Sequence, residues 1–364
     1  MKNPFPFRHI EPIFFAGLLD DPILLVRIRP SGRLLMFDCG QVHHLAKRNF
    51  THLDAIFISH GHMDHWMGID SVIRHLIAAN RTLDLFGPIG LADKMAHKLA
   101  GYDWNLVEDY WCSFRVHEIS PAQITTYLFS GPAGFERSPL ETRTHDSSPI
   151  YETTHCRVYA DSCSHGIESL IYRLDERPAF RIDVARLKEL GLRPGSWLGE
   201  LKEYFFTRRP GNIRLTVPLD NGAEKQIHEI GQLDELLKQI VSPQTVSSLG
   251  YISDIGFHAE NIRTIAGFMA GVELLFCECT YLSEDKEKAR VADHLCSEDV
   301  NQLLRMLRPA WFVPMHLSKT YRRRTDLLFR QLVPQPPTRL VVMPPFMTPR
   351  PLRADEVVWS EISE

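Results

Sequence analysis

The segment Ile56-Phe57-Ile58-Ser59-His60-Gly61-His62-Met63-Asp64-His65 limits the folds open to this chain more than any other. An apolar, β-prone run ends at Ser59, and three histidines and an aspartate follow within six positions. Residues two apart on an extended chain point to one side, so His60 and His62 share a face. Asp64 and His65 follow on the turn, within reach of a second ion a few ångströms away. Imidazole and carboxylate suit zinc and its neighbours in the first transition series. Most isolated histidine pairs belong to solvated loops. Four liganding side chains directly behind a buried strand point instead to a metal site.

The pattern His-x-His-x-Asp-His behind a strand resembles the signature of the metallo-β-lactamase superfamily. The resemblance implies an α/β fold, a four-layer αβ/βα sandwich with a dinuclear metal centre at one edge. It also demands further ligands far away in sequence.

A chain of 364 residues is long for one domain, but large α/β hydrolases reach this size as one unit. One domain is therefore expected over 1–364. A net charge of −4 gives no global pull towards nucleic acid, so such binding has to rest on a local basic patch. Seven singly scattered cysteines argue against a disulfide framework and for a reducing compartment. Cys277 and Cys279 lack the partner spacing of a zinc ribbon and read as small apolar residues. No run of eighteen apolar residues exists to span a membrane. The start, Met1-Lys2-Asn3-Pro4-Phe5-Pro6, carries no export signal, so a cytoplasmic location is expected.

Ahead of the histidine segment, Ile23–Ile28 and Arg33–Asp38 read as a hairpin closed by Pro30-Ser31-Gly32. Asp38 resembles the first superfamily motif, whose aspartate supports the histidine loop by hydrogen bonding rather than by ligation. Behind the segment, Ile69, Val72, Ile73, Leu76 and Ile77 have helical spacing. The strand, Gly87-Pro88 turn and helix start that follow look like the tRNA 3′-processing branch, ribonuclease Z. Seven aromatic residues from Tyr102 to Phe129 suggest packed strands, but 101–154 offers no chemistry.

Four later anchors extend that resemblance. His165 stands just before a strand containing Tyr172, where the branch places its third metal histidine. Asp254 ends the strand Ser247–Asp254, where the superfamily places a bridging carboxylate; it could otherwise cap the helix from Ala259. Glu278 interrupts the buried strand Leu274–Thr280 and must have a partner, because an unpaired buried carboxylate is costly. With His294 it resembles the motifs His-Glu-Ala-Thr and Gly-His-Ser-Thr, although Cys277, Cys279, Leu295 and Cys296 depart from them. Finally Trp311–Arg322 resembles the closing strand–His-x-Ser-x-x-Tyr motif, carrying His316, Ser318 and Tyr321.

Residues 175–217, rich in Pro and Gly and turning basic at Arg208, Arg209 and Arg214, suggest a protruding arm rather than core. Its Leu-Gly-x-x-Pro-Gly-x-x-x-Gly-x-Leu stretch looks like the arm by which ribonuclease Z grips the tRNA elbow, with Pro194-Gly195 reversing the usual Gly-Pro order.

The resemblance thus implies a phosphodiesterase with two divalent ions, zinc first and manganese or iron as alternatives. His60, His62 and His165 would hold one ion, Asp64, His65 and His316 the other, and Asp254 would bridge them. Asp64, Glu278 and His294 are the expected catalytic residues, with His294 protonating the leaving oxygen. Ser318, Arg208, Arg209 and Arg214 are the expected substrate contacts. The expected substrate is precursor tRNA, cut after the discriminator base to remove its 3′ trailer. The expected partners are that RNA or another phosphodiester and, in a homodimer, a second copy, with no membrane. A hydrolase of cyclic nucleotides or other small diesters is the alternative, since the Gly-Thr-rich N-terminal motif is missing. A non-catalytic, metal-containing RNA-binding protein is a third reading. It would more naturally have lost Asp254 or His294.

Overall fold

Strands β1 (Ile10–Phe14), β2 (Leu24–Ile28), β3 (Arg33–Phe37), β4 (Leu53–Phe57), β5 (Thr82–Pro88), β6 (Ser113–Ile119), β7 (Gln123–Ser130) and β8 (Arg137–Thr144) pair in chain order into one sheet. The structure, a computed structural model, describes residues 5–207, 215–242, 244–347, 352 and 354–359. Strands β3 to β6 run parallel and the outer pairs antiparallel. Parallel neighbours need crossovers. Those crossovers carry α1 (Lys47–Thr51), α2 (Met63–Trp66), α3 (Ile69–Leu76) and α4 (Leu91–Ala100).

Side-chain alternation assigns the two faces of this sheet. Leu25, Leu34, Met36, Ile56 and Leu85 pack with Ile69, Val72, Ile73 and Leu76 of α3 and Leu91, Met95 and Leu99 of α4. The helical positions recur every three to four residues, the spacing of a one-sided apolar stripe. Their strand neighbours point the other way. Phe37 lies 5.8 Å from Tyr172 and 5.7 Å from Tyr251, and Phe14 lies 5.5 Å from Phe276.

Those three aromatic partners belong to a second sheet. The chain enters it through β9 (Tyr151–Glu152), β10 (Cys156–Ser164) and β11 (Glu168–Glu176). Residues 177–246 then hold α5 (Val184–Glu189), α6 (Trp197–Thr207), the hairpin β12 (Leu215–Pro218) and β13 (Glu224–Ile227), and α7 (Ile230–Ile240). The sheet resumes with β14 (Ser248–Ile252), α8 (Ala259–Phe268), β15 (Leu274–Glu278), α9 (Lys286–Val291), α10 (Ser297–Leu307), β16 (Trp311–Met315), α11 (Asp326–Gln331), β17 (Arg339–Val342) and β18 (Val358–Trp359). Its strand order is β18-β17-β16-β15-β14-β11-β10-β9, with β14 to β17 parallel. Met269, just past α8, packs on β14 so closely that a methyl added at Gly250 would sit 2.8 Å from its sulfur. The two sheets face each other through aromatic side chains, with α3 and α4 on the outer face of the first and the end of α8 on the outer face of the second, the αβ/βα arrangement that the resemblance implies.

The first sheet ends β3 and β4, and the second ends β14, β15 and β16, one or two residues before Asp38, Ser59, Asp254, Thr280 and His316. Parallel strands gather their carboxyl ends on one edge, where ligands of open α/β sheets bind. Three non-glycine residues near this edge, Asp38 (φ 53°), Asp293 (φ 52°) and His316 (φ 59°), adopt left-handed backbone.

Contacts divide the chain into two compact units, one drawn from 1–151, 157–176 and 247–364, the other from 152–156 and 177–246. The second has a core of its own. Leu187, Trp197, Leu201, Tyr204, Leu215, Val217, Ile227, Leu233, Leu237 and Ile240 are buried together. Asp183 caps α5 by accepting from the amides of Ala185 and Arg186. Trp197 donates its indole N–H to the Arg193 carbonyl at 2.9 Å, and Tyr204 its hydroxyl to Asp234 at 3.0 Å. Where the sequence predicts little core over 175–217, Trp197, Leu201 and Tyr204 of α6 thus supply one side of an apolar cluster. Its other side, on α7, lies beyond residue 217.

Candidate metal centre

Loop geometry behind β4 presents His60 and His62 side by side, His60 Nε2 lying 2.9 Å from His62 Nδ1. The short α2 then turns Asp64 and His65 towards the same edge. His165 enters from the turn between β10 and β11, its ring centroid 5.2 Å from those of both His60 and His62. Asp254, two residues past β14, has Oδ2 at 3.8 Å from His60 Nε2, 3.9 Å from His165 Nε2 and 3.2 Å from His65 Nε2. His316 follows β16 and places Nδ1 3.0 Å from Asp254 Oδ1 and Nε2 3.1 Å from Asp64 Oδ2. Two sets of donor atoms result, each gathered within 4.8 Å: His60, His62, His165 and Asp254, and Asp64, His65 and His316. A third grouping joins Asp254 and His316 to His294.

The far nitrogens of these rings are held, which fixes both tautomer and ring plane. His65 Nδ1 donates to Asp38 Oδ2 at 2.9 Å and His165 Nδ1 to the Asp293 carbonyl at 2.5 Å. His60 Nδ1 pairs with the Ser59 hydroxyl at 3.0 Å. Asp38, fully buried, also accepts from the Ser59 amide and from the hydroxyls of Ser59, Tyr251 and Ser253. Burial would raise its carboxyl pKa, yet His65, with the Ser59 amide and the nearby His60, holds it below the usual value.

Charge divides the histidines in two. Burial, helped by His65, drives His60 down to about 3, and burial with His165 lowers His62, so both rings keep free lone pairs. Burial also opposes charge on His65 and His316, but Asp254 with Asp38 or Asp64 overrides it; His65 is raised and His316 reaches about 10. His65 Nε2 and Asp254 Oδ1 are buried without an aligned hydrogen bond, even though each has an oppositely charged group within 3.2 Å. Buried carboxylates that draw positive charge, with imidazole lone pairs converging beside them, fit first-row divalent cations.

Beside these donors, Glu278 is fully buried, which meets the requirement for a partner several times over. Its Oε1 accepts from the Ile255 amide at 3.0 Å and from His294 Nδ1 at 3.1 Å. Its Oε2 accepts from the amide and hydroxyl of Thr280, the latter at 2.6 Å. Burial would lower the pKa of His294, but the Glu278 carboxylate lifts it above the ordinary histidine value. A cleft of about 220 Å³ opens next to this dyad, lined by Asp20, Asp21, Asp64, Thr280, His316, Ser318 and Lys319. Lys319 is fastened across it to Asp21 at 2.8 Å.

Every expected site residue in the described part of the chain meets at this edge: Asp38, His60, His62, Asp64, His65, His165, Asp254, Glu278, His294, His316 and Ser318. Asp254 does not cap α8, whose N-cap is His258. Arg208, Arg209 and Arg214 lie outside the described residues. Sequence reasoning passed over Thr280, whose hydroxyl also reaches His316 Nδ1 and His294 Nδ1 at 3.2 Å. It passed over Tyr251, Ser253, Asp293 and His258 as well. Only Thr280 carried a signal, its position in the Glu278 motif.

Residues 35–154 match the family profile of the beta-lactamase superfamily domain. Ribonuclease Z of Deinococcus radiodurans is 30% identical over 294 residues, covering 79% of this chain and 83% of that relative. The chain belongs to the ribonuclease Z family. Zinc phosphodiesterase ELAC protein 1 of Mus musculus is 25% identical over 321 residues, 82% of each chain. Among solved structures, the short form of human tRNase Z superposes with a TM-score of 0.50 at 14% identity, covering 86% of this chain and 94% of that one. That likeness is one of fold. A member of the ribonuclease Z family with this donor cluster is a metal-dependent hydrolase with the metallo-β-lactamase fold. Among the described residues no helix is long and apolar enough to cross a membrane.

Proposed function

We propose that this chain is an endonuclease that removes the 3′ trailer from precursor tRNA, using two divalent ions, zinc by preference. One observation carries the reading: a Glu278–His294 dyad stands beside two clusters of metal donors in a chain whose curated relatives are named ribonuclease Z. His60, His62 and His165 would hold one ion, Asp64, His65 and His316 the other, with Asp254 shared. When bound, such a pair supplies Lewis acidity and lowers the pKa of an attacking water.

The chain's own groups do the rest. Glu278 holds His294 Nδ1, so the imidazolium presents its Nε2 proton to the departing 3′ oxygen. Thr280 keeps the Glu278 carboxylate in that orientation. Ser318 lines the cleft next to Asp64 and would bind the substrate backbone there. Arg208, Arg209 and Arg214 of the 175–217 arm would grip the RNA away from the scissile bond, where cations suit a phosphate backbone. The location proposed is the cytoplasm and the assembly a homodimer.

A second reading has its own support. The Gly-Thr-rich N-terminal motif is missing and Asp20 and Asp21 line the cleft, which leaves hydrolysis of cyclic nucleotides or other small diesters as the rival. Incubating metal-loaded protein with precursor tRNA and, in parallel, with cyclic nucleotides decides between them. Accurate cleavage after the discriminator base upholds the first reading, and turnover of the cyclic substrate alone overturns it.

A further inference from the structure

Three segments that carry the candidate centre converge on one residue outside it, Asp293. Asp293 gives its backbone carbonyl to His165 Nδ1 at 2.5 Å, and the next residue is His294. Its side-chain Oδ1 accepts from His258 Nε2 at 2.8 Å, and His258 belongs to the loop that begins at Asp254. The approach is close: a methyl at Gly256 would lie 2.2 Å from His258 Nε2 and 2.8 Å from Asp293 Oδ1. The pair is half in solvent, with side chains 47% and 29% exposed, so its direct contribution to stability is small. Asp293 also has a left-handed backbone (φ 52°), because it closes the C-terminus of α9: the His294 amide donates to the Ala289 carbonyl at 2.9 Å and the Asp293 amide to the Arg290 carbonyl.

We infer that the His258–Asp293 pair is a positioning clamp, which locks the Asp293 peptide so that its carbonyl aims His165 and its chain delivers His294 to Glu278. The inference rests on the metal-centre reading proposed above, but not on the identity of the substrate. Outer partners of metal-bound histidine tune affinity by about 10–100-fold, so loosening the clamp should weaken the ion held by His165 and leave the other nearly unchanged.

The test is zinc competition against a chromophoric chelator, run on the full chain and on H258A, H258Q and D293G. H258A should lose at least about tenfold in affinity for one of two ions, and kcat on a phosphodiester should fall with KM unchanged. H258Q, whose amide can still donate to Asp293, should recover most of both. D293G keeps the left-handed backbone without the side chain and should match H258A, and combining the two should add little, as expected for residues acting through one contact. Wild-type zinc affinity and kcat in either H258A or D293G would overturn the clamp. Should the parent protein leave precursor tRNA intact while H258A still weakens zinc binding, the substrate reading falls and the clamp stands.

Discussion

His65 is wedged between two buried carboxylates: Nδ1 donates to Asp38 at 2.9 Å, and Nε2 stands 3.2 Å from Asp254. Asp38 comes from the end of β3 in one sheet, whereas Asp254 follows β14 in the other. The ring therefore joins the two sheets at the edge where the donors gather.

Replacing Asp38 by Ala should damage both metal binding and stability. Zinc affinity should fall by about 10–100-fold, because His65 loses the partner that sets its ring. The metal-free protein should lose about 2–4 kcal/mol, since buried donors on Ser59, Tyr251 and Ser253 are left unpaired. Chelator competition and urea unfolding measure the two effects. Unchanged values for both would remove Asp38 from the account.

His62→Ala should abolish hydrolysis and reduce the zinc retained after dialysis from two ions to one. His62 faces His60 at 2.9 Å and is the most readily released histidine of its set, being exposed. Elemental analysis reads the stoichiometry. A wild-type protein that holds one ion or none after reconstitution would refute the two-ion centre.

His294→Ala should leave metal content intact and slow cleavage of substrates with poor alkoxide leaving groups by about 10²–10⁴-fold, the usual contribution of a general acid. A nitrophenyl diester needs little protonation of its leaving group, so its hydrolysis should suffer far less. Equal losses on the two substrates would show that His294 serves another purpose, such as holding a metal alongside Asp254 and His316.

Replacing residues 178–245 with a short Gly/Ser linker should preserve the centre and the hydrolysis of a small diester, while precursor tRNA cleavage falls steeply. Remote binding energy that positions a large substrate would be lost. The junction is favourable, because the Glu176 amide donates to the Ser247 carbonyl at 2.9 Å. Glu176 itself must stay, since its buried carboxylate accepts from the amides of Arg8, His9 and Ile10. Charge reversal at Arg208 and Arg209 should act more weakly and flatten the salt dependence of RNA affinity. Undiminished tRNA cleavage by the deleted form would reject a substrate-gripping role for this segment.

Legibility from sequence followed the range of the interactions. The donors at His60, His62, Asp64 and His65 are readable because one loop supplies them all. Distant His165, Asp254 and His316 needed the order of motifs as well. The hydroxyls on Asp38 were unreadable: Tyr251 is 213 residues away, and a tyrosine in a strand does not announce which buried acid it serves. Of the seven aromatic residues after Gly101, Phe114, Tyr127 and Phe129 do lie on β6 and β7, but Tyr102, Trp104, Tyr110 and Trp111 occupy irregular chain ahead of β6, and the strands' place in the first sheet was not readable, since register is a tertiary property. In 175–217 the Pro-Gly and arginine content hid the spacing of Trp197, Leu201 and Tyr204, and their apolar partners on α7 lay past the boundary drawn.

The left-handed backbone at Asp38, Asp293 and His316 carries a consequence for laboratory evolution. Each such residue costs on the order of 1 kcal/mol or more relative to a relaxed conformation, and glycine would relieve the steric part. Selection for heat resistance alone should therefore be drawn towards glycine at Asp293, the position whose side chain stands furthest from the donors. Selection for turnover should resist it. The most durable sequence and the fastest one would then differ at this position, and alternating the two selections should make the residue oscillate rather than settle.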